Sequence, residues 1–90
     1  MKVLQPTTKF KKDLKKYKNK PDQLDELKVV LNLLINEQPI PAKYKPHPLE
    51  GDYNDCMECH IQSDYLLIWF DKEKDVIKLI RLGSHSELFK

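Results

Sequence analysis

The chain lacks any hydrophobic run long enough to cross a membrane. Its longest apolar stretch, Tyr65-Leu66-Leu67-Ile68-Trp69-Phe70, is six residues, far short of the roughly 18–20 that a spanning helix needs. The opening Met1-Lys2-Val3-Leu4-Gln5-Pro6 has no apolar segment of the kind a secretory signal carries, so the expected location is the cytoplasm. Cysteine is scarce: Cys56 and Cys59 are the only two, and in a reducing compartment both are expected as free thiols. Glycine is equally scarce, at two residues, and no stretch is repetitive or compositionally biased, which argues against disorder. Ninety residues make one domain, 1–90, with a modest core that hides about 60–65% of the unfolded surface.

The net charge of +2 conceals a gradient. Residues 1–20 hold eight lysines against the single acid Asp13, a local excess of +7. Residues 21–64 are acidic on balance. A basic quarter on a nearly neutral protein fits a localised contact with a polyanion. The same lysines also suit the solvated outer face of a helix.

Hydrophobic spacing divides the chain in two. Val3 and Leu4 can open a short strand. Thr7 or Thr8 can cap a helix from Lys9, in which Phe10, Leu14 and Tyr17 form one stripe and Lys9, Lys11, Lys12, Lys15, Lys16 and Lys18 fill the rest. Pro21 and Asp22 suit the first turn of a second helix, with Leu24, Leu27, Leu31, Leu34 and Ile35 on one face and Val30 beside them. Pro39 and Pro41 stop it. The two helices form a hairpin with a shared apolar side. Beyond a proline-rich loop over 39–48 and a turn or short strand over 49–52, the period changes to two. Met57, Cys59 and Ile61 alternate with Cys56, Glu58 and His60 over 55–62. Residues 65–70 read as a central strand, 76–82 as the last strand, and Ser84 as the cap of a final turn through Phe89. The expected class is α+β: a helical hairpin packed on a small antiparallel sheet, in the order β-α-α-β-β-β.

All three histidines, His47, His60 and His85, fall in the second half, each at the end of an element or in a loop. A lone histidine most often has a structural place. Three at element ends, with Asp64 and Arg81 near two of them in the chain, point to acid–base chemistry near neutral pH. Cys56-Met57-Glu58-Cys59-His60 matches the attachment motif of c-type haem. That reading is set aside because such proteins are exported, and because a strand puts the two thiols on opposite faces. A zinc site from the cysteines and histidines meets the same obstacle and has poor spacing. No metal or other cofactor is expected.

Three ordered segments are more specific together: Tyr44-Lys45-Pro46-His47-Pro48-Leu49-Glu50-Gly51, then Glu58-Cys59-His60-Ile61 with Asp64, then Arg81-Leu82-Gly83-Ser84-His85-Ser86-Glu87-Leu88-Phe89. This set resembles the YafQ branch of the RelE toxin superfamily, over nearly the whole chain. The resemblance implies a ribosome-dependent messenger-RNA endonuclease neutralised by a small cognate antitoxin. It places His47, His60, Asp64, His85 and Phe89 in the active site and Arg81 at the phosphate.

Those residue types suit the chemistry. Cleaving RNA through its own 2′-hydroxyl needs a base, an acid for the departing 5′-oxygen, and positive charge at the phosphate. His60 or Asp64 can be the base and His85 the acid, or the roles can be exchanged. Arg81 would clamp the phosphate in bidentate fashion, His47 would orient, and Phe89 would stack on a base. Lys11, Lys12, Lys15 and Lys16 would dock on ribosomal RNA without sequence preference. Two other readings stay open: a non-catalytic RNA- or ribosome-binding domain of the same fold, and a protein-binding module. Neither would need the histidines for cleavage.

Overall fold

The computed structural model describes residues 1–89. Strand β1 (Val3–Pro6) leads into helices α1 (Thr8–Lys15) and α2 (Pro21–Ile35), followed by β2 (His47–Pro48), β3 (Met57–Gln62), β4 (Tyr65–Phe70), β5 (Val76–Gly83) and the short helix α3 (His85–Leu88). Brief 3-10 turns at Ala42–Tyr44 and Gly51–Tyr53 flank β2. The α+β architecture, with a helical hairpin on a sheet, is as the spacing indicates. Strands β2 to β5 form the antiparallel meander, and the full order across the sheet is β1-β5-β4-β3-β2. The first strand makes the sheet mixed: β1 lies parallel to β5, with Val3 opposite Val76 and Pro6 opposite Leu79. Pro6 has no N–H to give, which an edge strand tolerates.

Burial explains the arrangement. Strand β4 is central, and five of its six residues, Tyr65 to Trp69, are buried. Hydrophobic side chains on both of its faces favour that place, each stabilising by roughly 1.5–3 kcal/mol when fully removed from water. Under the helices, Phe10, Tyr17, Leu27, Val30 and Leu34 meet Cys59, Ile61, Leu67 and Trp69. The opposite face is thinner: Cys56, Leu66, Ile68 and Leu88 form a small cluster with Leu49, Tyr53, Phe70 and Ile80 around it. Val30 is wholly buried, while Leu24 and Leu31 lie only partly covered at the flank of the hairpin. The two cysteines fall on opposite faces, in separate clusters. Burial pushes both thiols up, Cys59 to about 12.

Strand β1 stops opposite Leu79, and helix α1 completes that edge of β5 with side chains. The Thr7 hydroxyl donates to the Ile80 carbonyl at 3.1 Å, and the Leu82 N–H donates to Asp13 Oδ2 at 3.0 Å. The one acid of the basic segment is therefore a buried structural group, 4% exposed.

Candidate active site

The three histidines converge at one end of the thinner face. His60 projects there because it alternates with the core-facing Cys59 and Ile61 on β3. His47 arrives on β2, paired opposite Glu58. His85 opens α3. The rings stand in a row, with centroids 6.2 Å apart for His47 and His60 and 5.8 Å for His60 and His85. Phe89 follows at 5.9 Å from His85, and Tyr53 meets Phe89 edge-on at 5.6 Å.

Two carboxylates organise this row. Asp64, in the β3–β4 turn, accepts the His85 backbone N–H at 3.0 Å, and its Oδ1 lies 3.3 Å from His85 Nδ1. The backbone bond, then the ring contact, hold the Asp64 carboxyl below its usual range. Glu58 lies beneath the imidazoles, buried. Its Oε1 is 3.1 Å from His47 Nε2 and 4.0 Å from His60 Nε2. Its other oxygen, Oε2, is buried without a hydrogen-bond partner. A buried carboxylate oxygen left unpaired is costly. On the far side of its ring, His47 Nδ1 faces the Lys45 carbonyl at 2.9 Å. Lys45 turns its carbonyl this way from a left-handed conformation, φ 50°.

Helix α3 is secured from behind. Ser84 and Glu87 form a reciprocal capping box, and Tyr17 donates to Glu87 Oε1 at 2.9 Å. The Ser84 N–H and the Tyr17 hydroxyl keep the Glu87 carboxyl low, while burial and Glu87 push Tyr17 up to about 12. A Cβ on Gly83 would lie 2.8 Å from Glu87 Oε1, so glycine is what lets that carboxylate approach.

The expected site residues thus separate. His47, His60, His85, Asp64 and Phe89 come together. Arg81 stands apart, tied to Asp13 by Nε at 2.7 Å and Nη2 at 3.1 Å. Only Nη1 reaches toward the cleft, 3.4 Å from the Tyr53 hydroxyl. The ion pair with Asp13 holds Arg81 firmly charged, but most of its fork is engaged. The exposed lysines also divide. Lys11, Lys15 and Lys18 border an apolar groove floored by Leu14, Leu24, Leu27 and Leu31, whereas Lys9, Lys12 and Lys16 gather around Asp13 and Arg81. Lys16 is also 3.7 Å from Glu87.

Sequence reasoning missed Glu58 and Tyr53 as site residues. For Glu58 a signal existed, because it shares a strand face with His60 two residues on. Glu58, His60 and His85 each offer a donor atom, and these atoms lie within 4.8 Å of one another. The imidazole and carboxylate set, with the orphaned Glu58 Oε2, fits a divalent transition-metal ion.

Fold and cleft agree with a class of bacterial toxins. The family model for the bacterial toxin of type II toxin–antitoxin systems, YafQ, matches residues 2–90. The chain belongs to the YafQ toxin family. It is 35% identical over 81 residues to the mRNA interferase toxin YafQ of Escherichia coli K12, covering 89% of this chain and 87% of that one. The crystal structure of the E. coli DinJ–YafQ complex superposes with a TM-score of 0.88 at 31% identity, covering all of both chains. A metal-bound toxin from Helicobacter pylori superposes equally well, TM-score 0.88 at 43% identity, over 99% of this chain and 100% of that one.

Proposed function

We propose that this protein is the toxin of a type II toxin–antitoxin pair and cleaves messenger RNA on the ribosome by metal-free acid–base chemistry. One observation carries the chemical part: donor atoms of Glu58, His60 and His85 lie within 4.8 Å of one another, beside the exposed ring of Phe89. Asp64 holds His85 through its Oδ1, and its lowered pKa makes it a poor base. It therefore orients His85. His60 takes the proton from the 2′-hydroxyl, the 2′-oxygen attacks phosphorus, and the 5′-oxygen leaves with a proton from His85. The products are a 2′,3′-cyclic phosphate and a 5′-hydroxyl. Glu58 fixes His47 and steadies His60, and His47 orients the substrate. Phe89, braced edge-on by Tyr53, stacks on a base. Arg81 braces Tyr53 and adds charge from behind. A metal ion held by Glu58, His60 and His85 would supply Lewis acidity, but it would occupy the lone pairs that proton transfer needs, so the metal-free form is the acting one.

The exposed lysines of α1 dock on ribosomal RNA in the cytoplasm, and a cognate antitoxin neutralises the toxin in the resting cell. Primer extension on a message translated in a purified system tests the reading. Wild-type protein should give new stops within codons, and His85→Ala should give none. Absence of stops with wild-type protein, or equal stops with both, would end it.

A further inference from the structure

Strand β2 pairs with β3 only at Glu58 and Met57. Beyond Glu58 the outer edge of β3 has no neighbouring strand among the described residues, and a cavity of about 360 Å³ opens against it. Its walls are Glu26 from α2, Lys43 to Lys45 from the 3-10 turn, and His60 to Ser63. The volume lies within the usual range for small-ligand sites, and polar side chains of Glu26, Lys43, Gln62 and Ser63 stand in its wall. The cavity shares one wall, His60, with the catalytic row. Phe89 lies at one end of that row, beyond His85, and His47 at the other. The row therefore offers an aromatic surface at Phe89 and, bordering His60 two rings away, a cavity with hydrogen-bonding groups.

We infer that this cavity, resting on the endonuclease reading above, is a nucleobase subsite that selects a base carrying an exocyclic amino group. Unstacked RNA bases are read by hydrogen bonds to their edges. Glu26 is held in place because Tyr44 donates to its Oε2 at 2.9 Å, which leaves a fixed carboxylate acting only as an acceptor. Such a group favours the amino N–H of adenine, cytosine or guanine and repels the carbonyl edge of uracil. Gln62, which borders both this cavity and the adjoining Glu26 surface, can donate and accept at once. Lys43 and Lys45 are placed for the adjoining phosphates.

The test uses a family of messages differing only at the nucleotides flanking one strong cleavage site, translated in a purified system with full-length toxin. Cleavage is read by sequencing 5′ ends. Wild-type protein should cut at least tenfold less, on the scale of one lost hydrogen bond with an unpaired acceptor, when uridine occupies one particular flank. Glu26→Gln keeps an acceptor for Tyr44 and adds a donor. It should bring the uridine message to within about twofold of the others. Gln62→Ala, at a half-buried strand end, should flatten preference at the same flank and leave the opposite flank unaltered. Failure of wild-type protein to cut any message would sink the endonuclease reading and this proposal with it. Cleavage with no discrimination against uridine at either flank, or with discrimination unchanged in both variants, would overturn the subsite alone. Should either variant misfold by circular dichroism, the wild-type discrimination and the other variant still decide.

Discussion

Asp13 and Asp64 do the same thing in opposite surroundings. Each accepts a backbone N–H from the stretch around β5, Leu82 for Asp13 and His85 for Asp64, and each faces the side chain of a cationic residue type, Arg81 or His85. Asp13 is sealed beneath α1, 4% exposed. The side chain of Asp64 is 63% exposed, and its histidine partner 57%. In the dry pair the charges cannot separate without a large desolvation penalty. In the wet pair water screens both, so the contact aims a ring without locking it. One geometry is buried and fixed in one place, exposed and screened in the other.

The sharpest way to break the comparison is at Asp13. Asp13→Ala leaves Arg81 without its partner and Leu82 with an unpaired N–H. It should cost about 3–5 kcal/mol of stability, read as a lower denaturation midpoint, with cleavage lost through unfolding. Replacing both partners, Asp13→Leu with Arg81→Met, should be far milder. Equal losses in the two cases would show that the charge pair is not what matters. His85→Ala should instead lower cleavage by about 10²–10⁴-fold, while circular dichroism and antitoxin binding stay near wild type. Asp64→Asn should have a smaller effect, about tenfold on cleavage, with the thermal midpoint nearly unmoved.

The acid response follows from the same pair. The folded-state pKa of Asp64 is depressed, so its contribution is complete above the ordinary value of 3.8 and is lost as pH falls through the lower folded value. The side-chain carboxyl carbon signal of Asp64 should therefore hold its position down to about pH 4 and move only in stronger acid. In Asp64→Asn that movement should vanish. The smallest effect on turnover belongs to the lysines. Changing Lys11, Lys12, Lys15 and Lys16 to Gln should flatten the salt dependence of ribosome binding by about 0.7–0.9 per contact removed, with turnover at saturation little altered. Lost turnover with unchanged binding would place them in the cleft.

Much of this was legible in the sequence, and the omissions have physical causes. The helical hairpin and strands β3 to β5 announce themselves through period, because each buries one face or both. The His47, His60, Asp64 and His85 cluster was legible only through resemblance, since nothing in spacing alone brings β2, β3 and α3 to one end of the sheet. Asp13 looked like a lone acid diluting a lysine run. Its burial depends on where β1 stops, which a pairing between four residues and a distant strand does not reveal. Arg81 looked like a free phosphate clamp for the same reason. Glu58 was passed over because carboxylates on strands usually face water.

The capping box of α3 has a kinetic side. His85 and Phe89 ride on a helix of four residues, held by the Ser84–Glu87 cap, the hydroxyl of Tyr17, the exposed Asp64 and one buried anchor, Leu88. Such a unit opens locally at far less cost than the central strand. Its amides should exchange with solvent long before those of Leu66 to Ile68. The protein can therefore release His85 and Phe89 from the histidine row while the sheet stays folded, and regain them on reclosing. A protein that clamped only this last turn in its open form would leave a stable, harmless globule.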